Sequence, residues 1–299
     1  MKIVIYTLDK VKQRLMGDHL LAGFMQHGEN VKLYPDALAY HLLSDNPELA
    51  DADLAVMIGG QSFGLFDKAR KRTNTLFVDK VFAGRRDYYR MVLNGPVPCY
   101  MQHIIGDPAK LAECGVELKP RVRNGRYIIY AGSSQAYCTF HGLGDALDYD
   151  AAVCHMLLDL WRSPDILYRM KASLVPRDEN KQYATPTVLP GGVIYSPPNV
   201  KLAELLPNCH CLVTYGSNAA CEAIAAGVPV LMLSPKGVNP VRPLCETDIN
   251  RLDNPYWPPL ITRQRLFEQM ADVQFSVDQI RSGEAWGRIK DWVGVKVNA

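Results

Sequence analysis

CLVTYGSNAACEAIAAGVPVLML, residues Cys211 to Leu233, reads as a strand, a turn, a short helix and a second strand. Cys211 to Val213 are apolar and Thr214 and Tyr215 are β-formers, so the stretch opens as a buried strand. Gly216 permits a sharp turn, Ser217 or Asn218 suits a helix cap, and Gly227 stops that helix before Pro229 and the strand Val230 to Leu233. Strands joined this way lie parallel, with a right-handed crossover. The helix N-terminus presents unpaired amides and a partial positive charge, and Gly216, Ser217 and Asn218 carry no bulk to keep an anion away. Glu222 lies one turn past Asn218 on the same face, where its carboxylate would accept hydrogen bonds from the paired hydroxyls of a sugar. An alternative fits the same residues: Ser217 and Asn218 cap the helix and Glu222 complements its dipole.

Upstream, Tyr127 to Tyr130 reads as another strand, running into the small-residue turn Ala-Gly-Ser-Ser-Gln at 131 to 135. Ser133, Ser134 and Gln135 are candidates to donate to a phosphate. The turn has neither G-x-G-x-x-G nor a Walker lysine, which disfavours dinucleotide and ATP-cradle readings. His141, before a helix of about Tyr149 to Trp161, would donate to a phosphate or serve as a structural hydrogen bonder. A strand at Ile166 to Tyr168 ends in Arg169, with Lys171 two residues on; two cations there suit a diphosphate whose charge must be neutralised as a bond to it breaks. Strand Val193 to Tyr195 and helix Leu202 to Leu206 lead back to Cys211.

The first half alternates in the same way. Strand Ile3 to Tyr6 is followed by a helix of about Asp18 to Gln26, strand Val31 to Tyr34, strand Ala52 to Ile58 with Gly59-Gly60, a helix at Leu65 to Arg72, and strand Leu76 to Val78 ending at Asp79. Alternation of this kind marks doubly wound parallel sheets, which bind ligands beyond the carboxyl ends of their strands. Asp79 falls there, and its carboxylate is the candidate base for taking a proton from a bound hydroxyl. Asp9 is the reserve, and pairing of Asp79 with Lys80 is the structural alternative.

TYGSNAACEAIAAGVPVL resembles the nucleotide-sugar half of GT-B glycosyltransferases. More narrowly, VDK from Val78, YYRMVLNG from Tyr88, YAGSSQAYCTFHGLGDA from Tyr130, VTYGSN from Val213 and the tail VQFSVDQIRSGEAW resemble phage-encoded glycosyltransferases associated with hypermodified DNA. The resemblance implies an α/β fold of two doubly wound Rossmann-like domains facing across a cleft. Residues 1–124 would take the acceptor, and residues 125–299 would bind the nucleotide sugar, with C-terminal helices packing back on the seam. It implies transfer from a nucleotide diphosphate sugar, with a UDP-sugar as co-substrate, to a hydroxyl of a modified DNA base, and an Arg or Lys pair at the position of Arg169 and Lys171. It implies cytoplasmic work in an infected bacterial host, by a monomer. A capsule-type glycosyltransferase, a sugar-nucleotide epimerase and a non-catalytic nucleotide-sugar-binding module share the architecture.

Composition is compatible with this. The 299 residues are 48% hydrophobic, enough for two cores. No apolar run reaches the roughly 20 residues of a membrane span, and Met1 leads directly into KIVIY with no signal-peptide pattern, so a soluble intracellular protein is expected. The eight cysteines never form C-x-x-C, and Cys209-His210-Cys211 lacks a second ligand pair; no metal and no tightly bound cofactor are expected. Net charge is +2, but residues 1–126 hold 18 Lys and Arg against 14 Asp and Glu. The excess gathers at Lys68, Arg70, Lys71, Arg72, Lys80, Arg85, Arg86 and Arg90. A polyanionic acceptor such as DNA would explain it; so would a solvated basic surface.

Overall fold

The computed structural model describes residues 1–7, 10–34, 51–59, 69–95, 104–161, 165–171, 173–174, 189–197, 199–235 and 239–293. Two compact units divide the chain: Met1–Gly115 with Phe267–Ala299, and Val116–Leu266. Asp9, Gly60, Lys68, Cys99 and most of the helix expected at Leu65 to Arg72 lie outside the described residues.

The first unit opens with β1 (Lys2–Tyr6), α1 (Val11–Met25), β2 (Asn30–Tyr34), β3 (Leu54–Ile58), β4 (Asn74–Lys80), β5 (Tyr88–Leu93) and α2 (Pro108–Glu113). β1 to β4 are parallel, with β1 between β2 and β3, so the chain winds both ways from β1. β3 is buried along its whole length, as an apolar run covered on both faces must be. Two expected boundaries move. α1 begins at Val11 although Lys10, at its N-cap, offers no side-chain cap, and β4 runs on to Lys80, so Asp79 sits within a strand. β5 returns antiparallel to β4, setting Arg90 opposite Asp79 and Tyr89 opposite Lys80.

The second unit contains β6 (Tyr127–Ala131), α3 (Gln135–Phe140), α4 (Ala146–Leu160), β7 (Asp165–Arg169), β8 (Val193–Tyr195), α5 (Leu202–Leu205), β9 (Cys209–Thr214), α6 (Ala219–Ala225) and β10 (Val230–Met232). Its sheet runs β10-β9-β6-β7-β8, parallel throughout. The chain moves from β6 to β7 and β8 on one side, then crosses to β9 and β10 on the other. The topological switch point is therefore the gap between β6 and β9, where ligands of open α/β sheets bind. Gly227, at φ 88°, stops α6 as expected, and a side chain there would also collide with the Pro120 carbonyl oxygen. Cys209 and Cys211 are buried in β9, and His210 between them bonds the Leu252 carbonyl oxygen at 3.0 Å.

The chain ends with α7 (Leu260–Ala271), β11 (Gln274–Ser276), α8 (Val277–Arg281) and α9 (Glu284–Ile289). The boundary between the units falls inside α7. β11 extends the first sheet beyond β5, and the Gln274 amide oxygen accepts from Phe82 N at 2.7 Å. Trp286 stands edge-on to Phe24 at 4.9 Å and donates to Glu29 at 3.1 Å. The tail thus closes the first unit, where the sequence alone grouped it with the second half. Among the described residues, no helix is long and apolar enough to cross a membrane.

Candidate functional site

Along the carboxyl edge of the second sheet, three of the five strand ends deliver the candidates. β6 gives Ser133 and Ser134, β7 gives Arg169 and Lys171, and β9 gives Gly216, Ser217 and Asn218. The first and third groups flank the switch point.

The β6 turn is held from below by a buried carboxylate. Asp150, on α4 and 1% exposed, accepts from Tyr130 Oη at 2.6 Å and Tyr168 Oη at 2.5 Å. Burial pushes the Asp150 carboxyl above its ordinary range; the bonds from both tyrosines and the Ser133 amide pull the other way. Gly132 is required because a Cβ there would strike this carboxylate. Ser134 caps α3, accepting from Tyr137 N at 3.4 Å, and Ser133 is buried. Gln135 starts α3, and its amide is engaged internally, donating to Gly144 O at 3.1 Å and accepting from Ala146 N at 2.9 Å.

The β9 turn is latched in two places. Thr214 Oγ1 donates to Ala131 O at 2.9 Å, tying the two turns together, and accepts from Ser217 N at 3.2 Å. Asn239, 3% exposed, donates to Gly216 O at 3.1 Å and Ser217 O at 3.2 Å while accepting from Val241 N. The Ser217 hydroxyl accepts from Ala219 N at 3.3 Å, whereas Asn218, the N-cap residue of α6, makes no side-chain cap. His141, at the C-cap of α3, packs against Tyr137 with ring centroids 4.4 Å apart and planes tilted by 58°, and lies 5.4 Å from the ring of Tyr215, which brings it beside the β9 turn. Burial pushes its imidazole pKa down, so the neutral ring is favoured.

Arg169 is half-buried and donates to Val200 O at 2.6 Å. Burial lowers its pKa, and the neighbouring Glu222 carboxylate partly offsets this, so the two residues sense each other's charge. Lys171 is exposed just beyond β7. This edge of the unit joins small-residue backbone turns, hydroxyls, a guanidinium and a carboxylate, the chemistry that a sugar diphosphate requires.

In the first unit, Arg90 is 7% exposed, lies 4.5 Å from the Phe82 ring centroid and pairs with Asp79 at 3.1 Å. Arg85 pairs with Asp87 at 2.7 Å. Arg70, Lys71 and Arg72 are exposed before β4, and Arg86 is exposed after it. A seven-residue strand spans roughly 20 Å, so these two exposed groups are not one patch. Sequence reasoning missed Asp150 and Asn239. Asp150 carries a signal, a carboxylate on the apolar face of a helix.

The fold is that of GT-B proteins, with Rossmann-like units. The β-Kdo 2,7 transferase of KpsC from Thermosulfurimonas dismutans superposes with a TM-score of 0.53 at 11% identity, covering 96% of this chain and 100% of that one. The β-Kdo 2,4 transferase of the same protein gives 0.49 at 14% identity over 90% and 89%, and Staphylococcus aureus MnaA with UDP gives 0.38 at 13% over 99% and 98%. No protein-family model and no curated protein sequence matches the chain.

Proposed function

We propose that the chain transfers a sugar from a nucleotide diphosphate sugar, with UDP as the nucleotide, to a hydroxyl acceptor. One observation carries the reading: the two latched turns and Arg169 share the carboxyl edge of the second sheet, at its switch point. The similarly folded KpsC structure is named as a β-Kdo 2,7 transferase, and a transferase activity agrees with the reading.

In this reading the diphosphate rests on the Ser133–Ser134 and Gly216–Asn218 turns. Arg169 and Lys171 neutralise the charge that grows as the bond between the sugar's anomeric carbon and the diphosphate oxygen breaks, its electron pair leaving with the diphosphate. Glu222 accepts from sugar hydroxyls, and neutral His141 donates to a phosphate oxygen. The acceptor oxygen bonds to the anomeric carbon and yields its proton to Asp79, which Arg90 holds in a fixed orientation.

The sequence resemblance makes a hydroxymethylated DNA base the acceptor. A glycan acceptor is the second reading, favoured by the fate of the basic cluster: Arg90 is internal, Arg85 is paired, and the exposed cations divide between opposite ends of β4. One experiment tests both. Nucleotide sugars are offered with hydroxymethylated duplex DNA, ordinary duplex DNA or oligosaccharides, and products are read by mass. Sugar on DNA only when the base is hydroxymethylated supports the first acceptor and sugar on oligosaccharide the second; nucleotide sugar bound but never transferred refutes the activity.

A further inference from the structure

The amino-end side of the second sheet carries a cavity of about 640 Å³ that the proposed transfer does not use. Arg121 and Arg123 line it from the segment before β6, His210 from the second position of β9, Trp257 from the loop before α7, and Leu260 and Arg263 from the first turn of α7. The candidate donor residues lie at the opposite, carboxyl ends of these strands.

Among the described residues, the lining holds three guanidinium groups and neither Asp nor Glu. Arg121 and Arg123, two residues apart, both line the cavity. That segment is fixed by Lys119 N donating to Ala225 O and Val122 N donating to Gly227 O, both at 2.7 Å.

Arg263 is 3% exposed. Its Nη1 donates to Lys119 O at 3.0 Å, and its guanidinium lies 4.4 Å from the Trp257 ring centroid. Its Nε is buried with no hydrogen-bond partner among the described residues. No carboxylate among them pairs with Arg263, and a buried cation without a counter-charge is costly. α7 has 12 residues and starts at Leu260, which lines the cavity with the guanidinium groups, so the positive end of its dipole lies on this side. An anion would satisfy these demands together. The volume suits a ligand the size of a mononucleotide or sugar phosphate.

We propose that this cavity binds a phosphate-bearing small molecule, its phosphate held by Arg121, Arg123 and Arg263 at the start of α7 and its remainder packed against Trp257. The proposal stands whether or not the chain transfers sugars.

The test is calorimetric titration of the full chain with inorganic phosphate, in the wild type, in Arg169→Ala and in the double variant Arg121→Gln, Arg123→Gln. Removing two charge-assisted hydrogen-bond donors should weaken phosphate binding at this cavity by about tenfold to a hundredfold or more in the double variant; Arg169→Ala removes only the separate binding that the proposed donor edge offers and leaves the cavity's own binding step in place. Absence of binding in the wild type, unchanged affinity in the double variant, or loss confined to Arg169→Ala would each overturn it. Arg263→Gln should also abolish binding, but Arg263 anchors the 119–122 segment and this variant can fail to fold; the double variant leaves that anchor in place and decides the matter alone.

Discussion

Arg90 donates from Nη2 to Asp79 Oδ2 at 3.1 Å across the antiparallel register that sets the two residues opposite each other on β4 and β5. Arg90 is buried against Phe82, while the Asp79 side chain keeps 27% of its surface exposed. Removing the carboxylate leaves a buried cation, but solvent near Asp79 softens the penalty. Asp79→Ala should therefore lower stability by about 1–3 kcal/mol, read by urea unfolding. As the proposed base, Asp79 also makes a kinetic prediction. Asp79→Asn should cut turnover at saturating donor by about a hundredfold or more while donor affinity stays the same. Near-normal turnover in a folded Asp79→Asn enzyme removes Asp79 from the chemistry.

Arg169 and Glu222 come from different elements, β7 and α6, yet interact electrostatically at the edge where the donor is proposed to bind. Arg169→Ala and Glu222→Ala should each weaken nucleotide-sugar binding by about tenfold to a hundredfold, the value of one charge-assisted hydrogen bond. Arg169→Ala should weaken free nucleoside diphosphate similarly. Glu222→Ala should spare it, because Glu222 is assigned to the sugar. Equal affinities in the wild type and both variants would place the donor elsewhere.

The strand, turn, helix and strand of Cys211 to Leu233 were legible because every boundary carries a local signal: β-formers, then Gly216, then Gly227 and Pro229. Strand Val193 to Tyr195 stands where its residues placed it. Long-range features carry no such signal. Asn239 acts on carbonyls 22 and 23 residues away, and Gln274 reaches Phe82 across 192 residues. The pairing of Asp79 with Arg90 rather than Lys80 depends on an antiparallel return at Tyr88 that the parallel alternation of the first half did not suggest. The sequence places the start of α1 at about Asp18, whereas the helix begins at Val11, where no side-chain cap marks it.

Asn239 is the test of whether the β9 turn is held ready for its ligand. Its amide is the buried partner of the Gly216 and Ser217 carbonyls. In Asn239→Ala, each group left unpaired should cost about 1–3 kcal/mol. Thermal unfolding should fall accordingly, and nucleoside diphosphate affinity should drop by at least about tenfold in protein that remains folded. A variant that melts earlier but binds normally would make Asn239 a purely structural latch.

Glu246 predicts a pH dependence. It is 5% exposed, and its carboxylate accepts from the amides of Thr247, Asp248 and Tyr256 and pairs with Arg251 at 3.2 Å. Burial works to raise its pKa, but the three amides and Arg251 together hold it below the usual glutamate range. A depressed folded-state pKa stabilises the fold above the unfolded-state value, and the contribution fades as pH falls through the folded-state value. The stability gap between wild type and Glu246→Gln should thus be widest near neutral pH and narrow as pH falls below about 5, closing once pH passes the depressed folded-state value. A gap constant with pH would show that the charge of Glu246 contributes nothing.

The acceptor is decided by salt. If DNA is gripped by the exposed cations of the first unit, affinity for hydroxymethylated duplex should fall steeply between about 50 and 200 mM salt, because each phosphate neutralised by the protein releases counterions. Arg70→Glu with Arg72→Glu should flatten that dependence by about 0.9 in log-log slope for each phosphate that is no longer neutralised. Arg90→Met is the informative control: at 7% exposure its guanidinium is committed to Asp79, so it should lower stability and leave the salt slope untouched. Fluorescence anisotropy on labelled duplex measures all three. An affinity indifferent to salt, or a slope that Arg70→Glu with Arg72→Glu does not change, would remove the DNA backbone as the partner of these residues and leave a glycan as the acceptor to pursue.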